Sequence, residues 1–323
     1  MLGGTRFVGR AVVQAALDRS WSVTALHRGR TGELPAGVRV LHADRTDAEA
    51  LAAVLDGGRW DAVVDTWAGA PVVATTAARL LQGRVERYGY VSTSGVYVWG
   101  QHVDESSPLV PADPQSGGTD YAADKRGAEL GVLASFPDAL LARAGLILGP
   151  HEDVGRLPWW LRRIAAGGRV VAPGRPERPL QHVDVRDLAA WLLQGLETGL
   201  SGGVDVISRS GHATSAELLQ ACVEVTGSDA ELVWVPETAL AAAGAEPWTQ
   251  LPCWVPETGE FAGFLESATG LAAATGLRCR PVRATVQDTW DWLQRDGWPQ
   301  QRPDRPVHGL PAELEQRLLA TAP

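Results

Sequence analysis

Lysine is almost missing from this 323-residue chain: 28 of its 29 basic residues are arginine, and the single lysine is Lys125. Cysteine is scarce as well. Cys222, Cys253 and Cys279 stand apart with no C-x-x-C pair, which argues against a disulfide framework and against a zinc site, and fits a reducing compartment. As isolated thiols they read as structural. No apolar run reaches the roughly 18 to 20 residues that cross a bilayer, and no charged region precedes an apolar stretch at the N-terminus. The expectation is a cytoplasmic protein with no membrane partner. Acidic residues outnumber basic ones 38 to 29, giving a net charge of −9 with no basic cluster to offset it, so nucleic acid is not an expected partner. Also missing are G-x-S-x-G, H-E-x-x-H and G-K-[ST], and the seven histidines are scattered. Nucleophile-elbow, zinc-hydrolase and phosphate-loop chemistry lose their signatures, and no metal is expected.

What is present is a regular alternation. After Leu2, FVGRAVVQAALDR reads as a helix with Phe7, Val8, Val12, Ala15 and Ala16 inward. SVTALH, GVRVLHAD, DAVVDT and YGYVST read as short buried strands, with AEALAAVL and PVVATTAARLLQG as helices among them. DYAADKRGAELGVLAS is a further helix, capped by Thr119 or Asp120, and ALLARAGLIL a further strand. Strand and helix in turn predict an α/β fold: a Rossmann-type, doubly wound parallel sheet, here residues 1–150, with a smaller C-terminal α/β part. Residues 151–298 read as the mainly substrate-binding part, interleaved with the sheet, and 299–323 as a Pro- and Arg-rich tail with one short helix. The thirteen tryptophans, most of them in the C-terminal half at positions that look like loops, read chiefly as packing residues.

The opening loop, Gly3, Gly4, Thr5, Arg6, Phe7, Val8 and Gly9, suits a tight backbone turn that brings a pyrophosphate to a helix N-terminus. Its strand is clipped to Met1 and Leu2. Either those residues with Gly3 suffice at the sheet centre, or translation starts upstream. At the end of the second strand, where an acidic residue would hold an NAD ribose, stand His27, Arg28 and Arg30. Cations there favour NADP(H) over NAD(H). Asp44 follows the third strand, placed to accept from an adenine amino group or simply to shape a turn.

Tyr121 precedes Lys125 by four residues on one predicted helix, and Ser92-Thr93-Ser94 end a strand. A cation beside a phenol favours phenolate, so Tyr121 could exchange a proton while hydride moves to or from nicotinamide, with a strand-end hydroxyl orienting the reacting oxygen. Four tyrosines among 322 other positions give roughly a 1% chance that one falls four residues ahead of the lone lysine. A surface helix would have accepted arginine equally well, whereas a compact ammonium has uses that a guanidinium fork lacks.

These residues resemble the extended branch of the short-chain dehydrogenase/reductase superfamily, the NAD-dependent epimerase/dehydratase family. GGTRFVG is similar to its T-G-x-x-G-x-x-G loop, VSTSGVY to S-S-x-x-V-Y, YAADK to Y-x-x-x-K, RAGLILGP to R-x-x-N-V-Y-G-P and QHVDVRDLA to F-I-H-V-x-D-hydrophobic-A. The resemblance implies Thr93 as the active-site hydroxyl, Tyr121 as acid/base and Lys125 on the nicotinamide ribose, with Gly3 and Gly9 as outer glycines of the loop. Arg6 stands at the middle glycine, as in atypical relatives some of which bind RNA. Leu146 replaces the asparagine of N-V-Y-G-P, and Leu180 stands where an arginine often meets a diphosphate, with Arg178 two positions away.

The expected cofactor contacts are therefore Gly3, Thr5, Arg6, Phe7, Val8, Gly9, His27, Arg28, Asp44 and Lys125, and the expected substrate contacts Trp67, Ser94 and Arg178. The expected activity is NAD(P)-dependent hydride transfer at a hydroxyl or ketone carbon of a small metabolite, by a reductase or an epimerase in specialised metabolism. The alternatives are an NDP-sugar epimerase or dehydratase and a non-catalytic nucleotide- or RNA-binding relative. A homodimer through two helices per subunit is implied by the resemblance alone.

Overall fold

The computed structural model describes residues 1–100 and 103–321. The first helix, α1 (Phe7–Asp18), is followed by strands β1 (Thr24–His27) and β2 (Arg39–His42). Then come α2 (Ala48–Leu55), β3 (Trp60–Asp65), α3 (Pro71–Leu81), β4 (Val85–Thr93), α4 (Tyr121–Ser135) and β5 (Leu140–Ala144). The predicted long strand ALLARAGLIL is broken after Ala144 and resumes as β6 (Ile147–Leu148). The break falls at Gly145, where a Cβ would stand 2.1 Å from the Ile207 side chain. Beyond it are α5 (Arg156–Ala165), β7 (Arg169–Pro173), β8 (Val183–Asp184), α6 (Val185–Thr198) and β9 (Gly202–Val206). The chain ends with α7 (Ser215–Thr226), β10 (Glu231–Val235), α8 (Glu237–Ala242), α9 (Leu271–Ala274), α10 (Val282–Asp296) and α11 (Ala312–Thr321).

All ladders between named strands are parallel: β1 with β2, and β3, β4, β5 and β9 in that order. Leu2 joins the two halves. It bridges Leu26 on one side and Asp65 on the other, its N–H donating to Val64 at 2.8 Å while Gly3 N–H donates to Leu26 at 2.9 Å. One residue thus holds the place of a central strand. The spatial order β2, β1, Leu2, β3, β4, β5, β9 is that of a doubly wound sheet, whose ligands sit outside the strand carboxyl ends where the order reverses.

Two apolar layers cover the sheet. On one face α1 and α6 bring Val12, Val13, Leu188, Trp191 and Leu192 against Val64, Val91 and Ala142; on the other, α3 and α4 bring Ala74, Ala77, Ala128 and Val132 against Val63 and Tyr90. Val13, absent from the expected inward face of α1, is fully buried, whereas Val8 and Ala15 are only partly so. A third core, with Leu157, Trp160, Val171, Leu218, Cys222, Val286 and Leu318, builds the C-terminal lobe around the parallel pair β7 and β10. The chain crosses between the two: β9 completes the main sheet long after the lobe has begun. The tryptophans do pack, though five of them (Trp159, Trp160, Trp191, Trp290 and Trp292) lie on α5, α6 and α10 rather than in loops.

Candidate active site

The glycine-rich loop makes a tight turn into α1. Gly3 and Gly4 hold φ of +108° and +112°, a region open to glycine at little cost, and a Cβ on Gly9 would stand 2.8 Å from the Gly4 nitrogen. No side chain caps α1, so its first amides and its dipole face the loop free to meet an anion. Arg6 is tolerated because its backbone is extended, with φ −129° and ψ 152°, so the position does not require glycine. Its guanidinium leaves the loop and meets Asp153 at 3.3 Å. Thr5 bonds Thr31 through their hydroxyls at 2.9 Å, tying the turn after β1 over the loop. The side chain of Phe7 is buried and that of Val8 partly buried against the sheet core, while their backbone amides open the helix.

At the ends of β1 and β2 the predicted cofactor residues gather at one edge. His27 Nδ1 accepts from Gly29 N–H at 3.0 Å and its ring meets His42 edge-on at 5.1 Å. Burial, with His42 nearby, pushes its pKa down. Asp44 Oδ1 accepts from Thr46 N–H and hydroxyl at 3.0 and 2.8 Å, which holds its carboxyl below the usual range, and Arg28 approaches its other oxygen at 3.7 Å. Asp44 therefore does shape a turn, with Arg28 exposed beside it.

Asp120, not Thr119, caps α4 by accepting from Ala122 and Ala123 N–H at 3.0 Å. The helix starts at Tyr121, half exposed, and one turn on Lys125 is buried. Its ammonium donates to the carbonyls of Trp67 at 2.6 Å and Val91 at 2.7 Å and to the Tyr90 hydroxyl at 3.3 Å. Three converging acceptors suit a compact ammonium with three protons and not a planar fork, which is a physical reason for lysine here. Burial lowers its pKa to about 7, against the pull of Asp65 and Glu129. Thr93, at the end of β4, accepts from Gly95 N–H at 3.1 Å, leaving its own O–H to donate. The hydroxyls of Ser92 and Ser94 are buried with no partner among the described residues.

The glycine-rich loop and the helix of Tyr121 and Lys125 lie within stretches that two family models match. Residues 3–136 match the NAD(P)H-binding family, and residues 72–207 match the NAD-dependent epimerase/dehydratase family. Together the two matches cover residues 3–207, one to NAD(P)H-binding domains and one to NAD-dependent epimerase/dehydratase domains. The chain is an NAD(P)-dependent oxidoreductase or epimerase. A ceramide reductase of Caulobacter vibrioides is 24% identical over 92% of this chain and 94% of its own length. A 2'-dehydrokanamycin reductase of Streptomyces kanamyceticus is 31% identical over 65% of this chain and 61% of its own. Two solved structures share the fold. UDP-glucose 4-epimerase of Thermotoga maritima has a TM-score of 0.67 at 18% identity, covering 91% of this chain and 98% of that one. The Bordetella bronchiseptica enzyme WbmH with NAD+ has a TM-score of 0.67 at 19% identity, covering 92% and 98%.

The predicted substrate residues fare differently. Trp67 is tied down: its indole N–H donates to Ala70 at 2.9 Å, Arg45 lies over its ring at 5.1 Å, and its carbonyl receives Lys125. Ser94 is buried beside Thr93 at the strand end. Arg178 is buried and lies 3.0 Å from Glu266 and 3.6 Å from Glu257, with a further bond to the Ala262 carbonyl at 2.9 Å. Leu146 and Leu180 are buried in the C-terminal core.

Two buried networks escape sequence reasoning. Arg45 grips Asp65 with two bonds of 2.6 and 2.7 Å, and Tyr88 donates to the same carboxylate at 2.8 Å. Arg143 grips Glu129 at 2.9 and 3.0 Å and donates to Tyr97 at 3.1 Å. Partners 20 and 14 positions apart on different elements leave no periodic signal. A third surprise comes from the tail: the Arg305 guanidinium lies 6.0 Å from the Tyr121 ring centre.

Proposed function

We propose that this protein is an NADP(H)-dependent reductase of a ketone on a small metabolite, with Tyr121 as acid/base. The observation that carries the reading is the placement of Lys125, buried under the strand ends with Tyr121 one helical turn before it and Thr93 at the end of the adjoining strand. Reduced nicotinamide, when bound, supplies the hydride. Thr93 donates its free hydrogen bond to the substrate carbonyl oxygen, and the Tyr121 hydroxyl passes its proton to that oxygen as the alcohol forms. The buried ammonium of Lys125 biases the site toward negative charge on the tyrosine oxygen once the proton has left. Gly3, Thr5, Arg6 and Gly9 cradle the pyrophosphate, while Arg28, exposed at the end of β1, meets the 2′-phosphate.

Two relatives whose names specify reduction support a reductase over an epimerase. An NDP-sugar substrate is disfavoured by Arg178, whose charge is already matched by Glu266 and Glu257 and is not available for a diphosphate. The test is NADPH oxidation with a panel of non-nucleotide ketones and with UDP- and dTDP-sugars. Tyr121→Phe should lower turnover by about 10²- to 10⁴-fold, the range of a lost general acid, with NADPH affinity unchanged. Undiminished turnover in that variant would remove Tyr121 from the mechanism.

A further inference from the structure

Arg305 belongs to the tail between α10 and α11, yet its guanidinium lies over the Tyr121 ring, 6.0 Å from the ring centre. The tail is held on both sides of it. Gln301 donates to the carbonyls of Arg302, Arg305 and Pro306, Arg302 pairs with Asp153 at 3.4 Å, and Gly309 N–H donates to the Thr249 carbonyl at 3.0 Å. Beyond it, α11 is fixed by an Arg163–Glu315 pair at 2.8 Å. Among the described residues the one carboxylate that reaches Arg305 is that of Asp304, at 4.0 Å, and it already accepts from Arg302 at 3.1 and 2.6 Å. The Arg305 Nε is buried with no hydrogen-bond partner among them. Arg302 is thus spent on carboxylates, and Arg305 is turned to the tyrosine.

Tyr121 is half exposed at the first position of α4, where little of the helix surrounds it. Lys125 spends its three protons on Trp67, Tyr90 and Val91, so the ammonium has none left to fix the phenol. We propose that Arg305 is a positioning residue: its guanidinium, lying over the ring, holds the Tyr121 phenol in the orientation from which it passes its proton. The electron-rich face of a phenol ring attracts a cation, and a guanidinium keeps its charge at every working pH. That charge also reaches Lys125, where it adds to the burial that lowers the pKa of the ammonium. The inference rests on the reading of Tyr121 as the acid/base, and it adds a contact from the far end of the chain to a helix in the first 150 residues.

Two measurements on the full chain test it. In urea unfolding, Arg305→Gln and Tyr121→Leu should together destabilise less than their sum, by about two- to fivefold in the unfolding constant, the scale of a cation over a ring at a partly exposed site. The same cycle made with Tyr121→Phe should show no coupling, because the ring stays. In NADPH-dependent reduction of the ketone that the wild type turns over fastest, Arg305→Gln should lower kcat by about the same two- to fivefold with the KM for NADPH unchanged, and Arg305→Lys should keep most of the rate. Absence of coupling with Tyr121→Leu overturns the proposal. So does a kcat loss that is equal in Arg305→Gln and Arg305→Lys, or one matched by a rise in the KM for NADPH, since the tail would then act by shape or through the cofactor. Undiminished turnover in Tyr121→Phe would instead overturn the acid/base reading beneath it, with the coupling in unfolding intact.

Discussion

Lys125 and Arg178 are both buried cations that the sequence marks out, and the two regions treat their charge in opposite ways. At the strand ends, Lys125 is held by two carbonyls and a phenol, all neutral; Asp65 and Glu129 lie near, but each is already gripped by its own arginine. In the C-terminal lobe, Arg178 has two carboxylates within ion-pair distance. Neutral partners solvate a charge without cancelling it, whereas carboxylates cancel it. The first arrangement keeps an uncancelled charge one helical turn from Tyr121 at the cost of desolvation; the second stabilises a lobe.

The largest break in that contrast is at Lys125. Burial holds its pKa at about 7, below the ordinary 10.5 of the unfolded chain. Between those values the unfolded state binds a proton that the folded state does not, so stability attributable to this group rises with pH across the window and the penalty is fully present below pH 7. Lys125→Met should therefore abolish turnover yet melt higher than wild type near pH 6, the gap closing toward pH 10. Thermal melts across that range check it; a constant gap would mean the ammonium is not paying a desolvation cost. Lys125→Arg should restore neither activity nor the profile, since a fork cannot satisfy the three acceptors.

Arg178→Met should be the mirror image. It leaves Glu266 and Glu257 facing a gap, but both are about one-third exposed, so the loss should fall below the 3–5 kcal/mol of a fully buried pair, about 1–2 kcal/mol. A melting temperature lower by several degrees with NADPH affinity intact is the expected result. A selective loss of substrate affinity without destabilisation would show that Arg178 is a ligand after all.

The smallest effect is expected at Arg28, exposed and only loosely paired with Asp44 at 3.7 Å. Arg28→Ala should weaken NADPH several-fold, about 1 kcal/mol, and leave NADH alone. Equal loss for both cofactors would remove Arg28 from 2′-phosphate recognition.

Much of this site was legible because its signals are local. The four-residue spacing of Tyr121 and Lys125 survives any packing that keeps one helix intact, and the cap at Asp120 sits beside it. The glycines at 3, 4 and 9 announce a turn whatever follows. The close approach at Gly145 was not legible, because the side chain that leaves no room for a Cβ there is that of Ile207, which arrives 62 positions later in the chain. Nor was the fate of Trp67, whose ring is claimed by Arg45 from the preceding strand connection.

The sequence by itself determined the parallel α/β sheet, the glycine turn, and the pairing of the sole lysine with a tyrosine, since each follows from spacing within one element or one turn. Tertiary structure decided which charges remain usable. Whether an arginine is neutralised, as Arg178 is by Glu266, or brought to a distant tyrosine, as Arg305 is by the returning tail, depends on segments far apart in the chain meeting in space. The energy of a charge is set by what surrounds it, and its surroundings exist only after folding.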